Sequence, residues 1–266
     1  ALAPFTFWIL SPSLLLLVLA PLVRCALYSL AAAWSAALFL ALARTPPWRR
    51  PRPTSRSPNG TTTSLRVMTA NLFKANTEHE RMASEILAVD ADLVAVQELR
   101  ESQAAALAHL LAHRYPYHDL HPGLDAQGMG VFSRFPLSEC RVVSHDGANP
   151  LQVVHLGAPA SDTWVVNMHP RIPVLSTRPV GRWAIPSGLQ TADRTGDVSR
   201  MVATVQTLPG PTVVLGDMNT TPYCPDFGLV PAEWQDAHAA AGRGPGFTYP
   251  VRAAFFGFRS PLPLFR

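Results

Sequence analysis

A carboxylate and an amide, Asp217 and Asn219, stand two residues apart after the apolar run Val213–Leu215 and Gly216. The run predicts a buried strand that Gly216 ends. If the backbone stays extended beyond it, both side chains leave the same strand face, because strand side chains alternate. The carboxylate could then bind a hard cation or orient water, and the amide could donate to an anionic oxygen. An ordinary Asp-Xaa-Asn turn is the alternative interpretation.

Three more polar residues, an amide, a carboxylate and an imidazole, follow predicted strands elsewhere in the chain. Asn71, Glu98 and His169 each stand at or just past the C-terminal end of a strand. If those ends lie on one side of a sheet or sandwich, they meet Asp217 and Asn219 around one cleft. Two carboxylates, an imidazole and two amides can support metal-assisted attack of water on a phosphate ester. We expect Mg²⁺, or Mn²⁺ in its place, rather than zinc, because no histidine or cysteine cluster has zinc-ligand spacing.

The part of the chain that must position these residues is predicted to contain both strands and helices. The predicted strands are short apolar or β-branched runs, and the predicted helices carry an apolar stripe. A turn-like segment between two strands favours a hairpin, and the proline-rich stretch 171–188 is predicted to be a long irregular loop. The predicted strands are Leu65–Asn71, Leu93–Gln97, Met129–Ser133, Leu151–Leu156, Thr163–Asn167 and Val213–Leu215, and the predicted helices lie within 77–89, 101–113 and 189–208.

Five short motifs occur in the order and approximate spacing of one enzyme superfamily. They are Thr69–Leu72 (TANL), Val96–Glu98 (VQE), Gly130–Pro136 (GVFSRFP), Asn167–Pro170 (NMHP) and Gly216–Pro222 (GDMNTTP). By these motifs the chain, from about residue 65 to 266, resembles the endonuclease/exonuclease/phosphatase (DNase I-like) superfamily. The resemblance implies an α/β fold, a four-layer α/β/β/α sandwich of two mixed sheets flanked by helices. It is specific for the superfamily and says little about the substrate.

The resemblance also implies a role for each polar residue at the strand ends. Glu98 is similar to the principal Mg²⁺ ligand, with Asn71 beside it as a ligand of the metal or of the substrate phosphate. His169 is similar to the catalytic residue that contacts the scissile phosphate. Asp217 is similar to the residue that orients the attacking water and supports the metal, and Asn219 to a donor toward the developing negative oxygens.

Further parts of the family pattern concern Arg134 and the C-terminal end of the chain. Arg134 resembles a residue beside the family's site, and we expect it to bind substrate, with a structural or solvated arginine as the alternative. Two later family segments, Ile-Asp-His and Ser-Asp-His, do not occur in the sequence. Because these segments supply an aspartate and a catalytic histidine, and because the sequence starts with Ala1 inside an apolar run, we expect a fragment cut at both ends. It would lack C-terminal strands and be inactive or nearly so, although its parent protein is an enzyme.

The first 43 residues predict one or more transmembrane helices. Residues 5–43 carry a single charge, Arg24, and Cys25–Ala43 has 19 residues without charge or proline. That length crosses a ~30 Å hydrocarbon core as a helix, and it is too long for a signal peptide. Residues 44–60 hold five arginines, five prolines and no acidic residue, which predicts an extended linker near anionic lipid headgroups. Residues 61–266 form the predicted, incomplete catalytic domain.

The net positive charge of the chain belongs to its N-terminal part. The sequence has 22 basic and 18 acidic residues, a formal net charge of +4. Six basic residues and no acidic residue precede residue 57, so the remainder carries 16 basic residues against 18 acidic ones. The catalytic part therefore lacks the basic character expected of a protein that binds nucleic acid without sequence preference.

Together these features favour a membrane-anchored, Mg²⁺-dependent phosphoesterase. The chain resembles bacterial membrane members of the superfamily, which implies a lipid phosphate or pyrophosphate, such as that of an undecaprenyl carrier, on the extracytoplasmic side. The basic linker by itself favours the cytoplasmic side, so the topology stays open. A metal-dependent nuclease with the same chemistry is the second hypothesis, and a membrane protein with a non-catalytic binding domain is the third. The sequence indicates no protein partner.

Overall fold

The computed structural model describes residues 30–31, 33–37, 64–145, 147–157, 162–180, 183–222, 224–242, 246, 248, 254–255 and 258–259. The chain divides into two compact units, Ser57–Asn219 and a second one made of Ala1–Arg56 with Thr220–Arg266. In the described part, no helix is both long and apolar enough to cross a bilayer. The predicted linker and most of the predicted transmembrane segments lie outside the described residues, so both stay predictions.

The described part of the chain contains the predicted mixture of strands and helices, with seven consecutive strands between the second and third helices. The α-helices are His79–Val89 (α1), Glu101–Leu111 (α2), Ala192–Gln206 (α3) and Ala237–Ala241 (α4). The strands are Val67–Asn71 (β1), Leu93–Gln97 (β2), Tyr117–His121 (β3), Met129–Ser133 (β4), Leu137–Val143 (β5), Leu151–Leu156 (β6), Thr163–Met168 (β7), Val174–Val180 (β8), Trp183–Gln190 (β9), Thr212–Gly216 (β10), Ala254–Phe255 (β11) and Phe258–Arg259 (β12).

Two four-stranded mixed sheets form the centre of the unit Ser57–Asn219. The first has the order β1-β2-β4-β3, with β1 parallel to β2 and the other neighbours antiparallel. The second has the order β10-β7-β6-β5, with β10 parallel to β7 and the other neighbours antiparallel. The strands β3 and β5 were not predicted, because both lie at sheet edges and are partly exposed, so their sequences are more polar.

The two sheets pack face to face, and helices cover the outer face of the first sheet. Leu93 of β2 and Val131 of β4 belong to the same buried cluster as Val154 of β6 and Val165 of β7. On the other face of β2, Val94 and Val96 belong to a second cluster with buried residues of α1 and α2. This alternation follows from the two-residue period of a strand that is covered on both faces. The predicted α/β sandwich fold is confirmed.

The segment predicted to be an irregular loop at 171–188 contains an antiparallel hairpin instead. Its strands β8 and β9 pair from Val174 and Gln190 to Val180 and Trp183, with a register shift between Ser176 and Thr177. The prolines in these strands caused the error, because proline lacks the N–H of a central strand. In a two-stranded sheet both strands are edges, where proline is tolerated.

The second unit contributes short elements to the described part. A 3₁₀ helix spans Pro225–Leu229, and α4 is capped by Asp236, whose Oδ1 accepts the backbone N–H groups of His238 and Ala239. The strands β11 and β12 pair with each other. None of the predicted site residues belongs to this unit.

Candidate active site

The C-terminal ends of four strands meet at one edge of the packed sheets. β1 and β2 end side by side, and so do β7 and β10. At or just past these ends lie Asn71, Glu98, His169, Asp217 and Asn219. Two hydrogen bonds, from Asn71 to Asp217 and from Gln97 to Asn167, join the two pairs of ends and show that they face one another. The structure therefore brings these five predicted site residues together.

The side-chain amide of Asn71 joins the two carboxylates of the site. Its Nδ2 donates to Glu98 Oε1 at 2.9 Å and to Asp217 Oδ2 at 3.1 Å. Its Oδ1 accepts the backbone N–H of Phe73 at 2.9 Å, which fixes the orientation of the amide. Because both carboxylates share one donor, their oxygens face a common space. Two carboxylates held this close favour either a cation or a shared proton.

His169 completes this group from the second sheet and is buried. Its Nδ1 lies 2.8 Å from the carbonyl oxygen of Ala126, and a carbonyl only accepts, so Nδ1 carries a proton. Its Nε2 lies 3.9 Å from both Glu98 Oε1 and Asp217 Oδ2. In the neutral ring Nε2 is an acceptor, and in the protonated ring it presents a second N–H to the same space. His169 can therefore serve a phosphoryl oxygen as a donor.

A tight turn follows β10 where the sequence suggested either a turn or an extended strand end. The backbone N–H of Asn219 donates to Asp217 Oδ1 at 3.1 Å, and Asn219 has a φ of 47°. Its Nδ2 donates to the carbonyl of Pro170 at 2.8 Å, in the loop after β7. Gly216 has a φ of 143°, and a Cβ there would lie 1.9 Å from the carbonyl oxygen of Met168. The turn interpretation is correct, and the turn itself is part of the site.

Glu98 leaves β2 through a left-handed backbone conformation. Its φ is 57°, and Phe73 in the facing loop has the same φ. Such conformations cost non-glycine residues ~1–3 kcal/mol and persist where surrounding contacts hold them. Here the contact is a hydrogen bond from the backbone N–H of Lys74 to Glu98 Oε2 at 3.1 Å. The loop that carries Phe73 and Lys74 and the end of β2 at Glu98 are thus fixed to each other at the site.

A chain of buried amides lies between the sheets beneath the site. Gln97 Nε2 donates to Asn167 Oδ1 at 2.7 Å, and Asn167 Nδ2 donates to Gln152 Oε1 at 3.1 Å. All three residues have no exposed surface. Gln97 directly precedes Glu98, and Asn167 lies two residues before His169. The hydrogen-bonded amides therefore couple the ends of β2 and β7. No role was predicted for these amides, although polar residues inside apolar strands were the available signal.

Helix α3 holds the two loops of the second sheet through buried charges. Asp197 accepts the backbone N–H of Arg171 at 2.9 Å and its Nε–H at 3.0 Å, and the hydrogen bond to the guanidinium raises the pKa of Arg171. Arg194 donates to the carbonyl of Asn219. With Val198 and Met201, these residues occupy the buried i, i+3, i+4, i+7 stripe of the helix. No role was predicted for Arg194 and Asp197, although charged residues on the apolar stripe of the helix were the available signal.

Arg134 is not part of the group, which corrects the prediction that it lies beside the site and binds substrate. β4 runs antiparallel to β2, so Arg134 lies past the end of β4 that is opposite Leu93, at the far end from Glu98. Its guanidinium forms ion pairs with Asp90 and with Asp92, the latter at 2.9 Å. The alternative interpretation of a structural arginine is correct.

The donor set of the site fits a hard divalent cation. Glu98 and Asp217 offer carboxylate oxygens, the ligands that Mg²⁺ prefers. Among the residues that the structure describes, neither carboxylate forms an ion pair with a lysine or arginine, and His169 is their one basic neighbour. The side chain of Asn71 directs Nδ2, a hydrogen-bond donor, toward the carboxylates. In this orientation Asn71 supports the carboxylates and does not present its oxygen to a metal as predicted. No group of three or more histidine, cysteine, aspartate or glutamate side chains within the described ranges could hold a metal.

The fold and the site define an α/β sandwich with an acidic cluster at the ends of its parallel strands. A profile of the endonuclease/exonuclease/phosphatase family matches residues 68–262. The chain belongs to this family. A comparison with curated protein sequences found no match.

Solved structures with the same fold include two TDP2 proteins. Truncated TDP2 from Caenorhabditis elegans is 15% identical, with a TM-score of 0.55 over 75% of this chain and 82% of that chain. TDP2 from D. rerio, crystallised with a single-strand DNA product, is 14% identical, with a TM-score of 0.54 over 75% and 80%. Sphingomyelinase C from Streptomyces griseocarneus is 20% identical, with a TM-score of 0.46 over 63% and 68%. At these identities the likeness concerns the fold.

Proposed function

We propose that the protein is a metal-dependent hydrolase of phosphate esters and that its substrate is a lipid phosphate or pyrophosphate. The observation that carries the hydrolase proposal is the meeting of Glu98, Asp217 and His169 around the Asn71 amide. This arrangement combines carboxylates for a cation and for water with an imidazole for the phosphoryl group. Membership of the endonuclease/exonuclease/phosphatase family supports the same chemistry.

Each residue of the site has a distinct task in this proposal. Asp217 is oriented by Asn71 and Asn219, so it can accept a hydrogen bond and then a proton from the water that attacks phosphorus, while the bond from phosphorus to the leaving oxygen breaks. In its protonated form, His169 donates from Nε2 to a phosphoryl oxygen, and Nδ1 keeps its hydrogen bond to a backbone carbonyl. Asn219 has a second amide hydrogen for another phosphoryl oxygen.

A divalent cation is the expected cofactor of this reaction. Glu98 with Asp217 would hold Mg²⁺ or Mn²⁺, with Asn71 beside them, and the bound ion would supply positive charge to the phosphoryl oxygens. Glu98 suits this task because it is the more buried carboxylate, with a side-chain exposure of 15% against 37% for Asp217. Burial strengthens the attraction between a carboxylate and a cation.

The lipid part of the proposal is supported by the sequence. The uncharged run Cys25–Ala43 and the arginine-rich residues 44–60 would anchor the chain in a bacterial cell membrane. The remainder of the chain carries more acidic than basic residues, which disfavours a long nucleic-acid backbone as partner. We propose that the catalytic unit acts on the extracytoplasmic side, where a lipid carrier phosphate would be released.

Metal binding and hydrolysis test this proposal independently. Isothermal titration with Mg²⁺ should show binding to the chain, and Glu98→Gln should weaken it about 10–100-fold. In the full-length protein, hydrolysis of bis(4-nitrophenyl) phosphate and of undecaprenyl pyrophosphate should require Mg²⁺, and Asp217→Asn should lower kcat by roughly 10²–10³-fold. Glu101→Gln, an exposed carboxylate on α2, is the matched control and should change neither quantity.

Two outcomes would overturn the proposal in different ways. Absence of both Mg²⁺ binding and hydrolysis in the full-length protein would contradict the enzyme proposal and favour the alternative of a non-catalytic binding domain. Nicking of plasmid DNA that depends on His169, without release of phosphate from the lipid, would replace the lipid substrate with nucleic acid.

A further inference from the structure

Four large apolar side chains are more than half exposed in the unit Ser57–Asn219. They are Phe73 at 62%, Leu124 at 87%, Ile172 at 66% and Val174 at 56%, and we call them the apolar rim. The other large apolar residues classed as exposed in this unit, among those whose exposure the structure describes, range from 38% to 44%. Highly exposed apolar side chains are thus concentrated rather than scattered.

The loops that carry the apolar rim are hydrogen-bonded to the candidate active site. Phe73 follows β1, and its backbone N–H donates to Asn71 Oδ1. Leu124 lies between β3 and β4, in the loop whose Ala126 carbonyl accepts from His169 Nδ1 at 2.8 Å. The loops of Phe73 and Leu124 therefore lie directly beside the catalytic groups.

Ile172 and Val174 reach the rim from the second sheet. They follow Pro170, whose carbonyl accepts from Asn219 Nδ2 at 2.8 Å. Between them and the site, Arg171 is fixed by Asp197 of helix α3. Three separate loops, from both sheets, thus present apolar side chains at the same edge as the carboxylates.

The exposure of Phe73 is enforced by its surroundings. Phe73 has a φ of 57°, which is rare for a bulky residue. Its backbone carbonyl accepts from Gln103 Nε2 at 3.1 Å and from the N–H of Asn76 at 2.8 Å. Since its N–H is also bonded to Asn71, both of its backbone polar groups are fixed. Strain held by several contacts beside a site is typical of a functional element.

We propose that the apolar rim docks on the lipid bilayer and contacts the acyl chains of the lipid whose phosphate enters the site. This inference rests on the proposed function and adds the surface that delivers the substrate. Leu124, Ile172 and Val174 are aliphatic, so three of the four rim side chains suit a fluid hydrocarbon layer. Phe73 is the one aromatic member of the rim, whereas binding of a single strand uses several aromatic or guanidinium planes on which successive bases stack.

The charges around the rim are compatible with a bilayer of phosphate headgroups. The stretch from Pro170 to Ala192 contains three arginines and no acidic residue, and Arg178 on β8 is exposed. The exposed Asp125 next to Leu124 is paired with Lys74 at 3.5 Å. Basic residues at a membrane surface attract anionic headgroups, each by ~1 kcal/mol. The predicted anchor would hold the unit near the same surface.

Depth-dependent fluorescence quenching tests the rim in the full chain. Leu124→Cys and the matched control Leu110→Cys, on α2, are labelled with bimane after Cys25→Ser and Cys140→Ser; Cys224 is buried. Each protein is reconstituted into phosphatidylethanolamine/phosphatidylglycerol vesicles with brominated or unbrominated acyl chains. Interfacial side chains reach ~5–10 Å into the bilayer. Bimane at position 124 should therefore lose most of its emission in brominated lipid, and bimane at position 110 should not.

Equal quenching at positions 124 and 110, or none at either, would overturn the proposal. A change at position 124 caused by a single-stranded oligonucleotide, with no effect of brominated lipid, would also overturn it. Hydrolysis of bis(4-nitrophenyl) phosphate by the full-length protein, measured without vesicles, reports the catalytic site independently of the bilayer. Its absence would contradict the proposed function, while the quenching result still decides whether the rim docks on lipid.

Discussion

The two sheets of the unit Ser57–Asn219 share one strand pattern but are tied to the site by different forces. Each has an edge strand parallel to its neighbour, followed by two antiparallel strands. The first sheet delivers Asn71 and Glu98, and the second delivers His169 and Asp217. The site is therefore assembled from two similar halves, which differ in how they are held.

The first half is held mainly by apolar packing, and the second by charges. Ile86 of α1 and Leu107 of α2 are buried in one apolar cluster against the first sheet. In the second half, Asp197 and Arg194 of α3 bind the loops after β7 and β10 directly. Apolar packing is non-directional, whereas a hydrogen-bonded ion pair fixes orientation. Damage to the first half should therefore reduce stability alone, and damage to the second should also disturb the site.

The largest expected loss of stability is in the first half. Leu107→Ala should lower the free energy of unfolding by about 2–5 kcal/mol, because Leu107 has no exposed surface. Urea denaturation measures this, and Leu110→Ala, partly exposed on the same helix, should change it by under ~0.5 kcal/mol. Mg²⁺ affinity below the unfolding transition should stay as in the parent protein. A large loss of Mg²⁺ affinity in Leu107→Ala would break the comparison.

Asp197→Ala should have a smaller effect on stability but a direct effect on the site. Asp197 is 2% exposed, while its partners Arg171 and Arg200 keep about a third of their side-chain surface in water. The loss should therefore be about 2–3 kcal/mol, below that of a fully buried pair. Hydrogen exchange should accelerate at the backbone N–H of Arg171, which loses its acceptor.

The matched control for this change is Asp193→Ala. Asp193 also pairs with Arg171, at 3.4 Å, but its side chain is 74% exposed. An exposed pair is worth about 0–1 kcal/mol, so stability and exchange should change little. If both variants behave alike, the buried charge does not orient the loop after β7, and the proposed difference between the halves is lost.

The smallest effect concerns the exposed charges of the first half. A hydrogen bond from Arg114, followed by the charges of Arg114 and Arg134, holds the pKa of Asp90 below its ordinary range. A lowered pKa in the folded state stabilises the protein above the ordinary pKa, and this contribution is lost as the pH falls. Arg114→Ala should therefore raise the pKa of Asp90, as measured by carboxyl NMR titration. An unchanged pKa of Asp90 in Arg114→Ala would show that Arg114 does not lower it.

Strands with mostly apolar or β-branched sequences were predicted to within two residues, including β1 and β10 at the sheet edges. β2, β4 and β6 have the predicted bounds, because burial between neighbouring layers favours apolar side chains at most positions. The edge strands β3 and β5 escaped prediction because water covers part of their surface. The hairpin β8–β9 escaped because its prolines are excluded from central strands but not from edges.

The sequence by itself determined which polar residues lie at the strand ends, because polar groups directly after apolar strands must leave the sheet where those strands end. Its motifs also determined the family and, through it, the fold. Only the tertiary structure decided which of these residues contact one another. Asn71 and Asp217 are separated by 146 positions in the chain yet share a hydrogen bond. The same packing directs Arg134 away from the site and Asp197 toward it, because ion pairs depend on distance in space, which the spacing of residues does not specify.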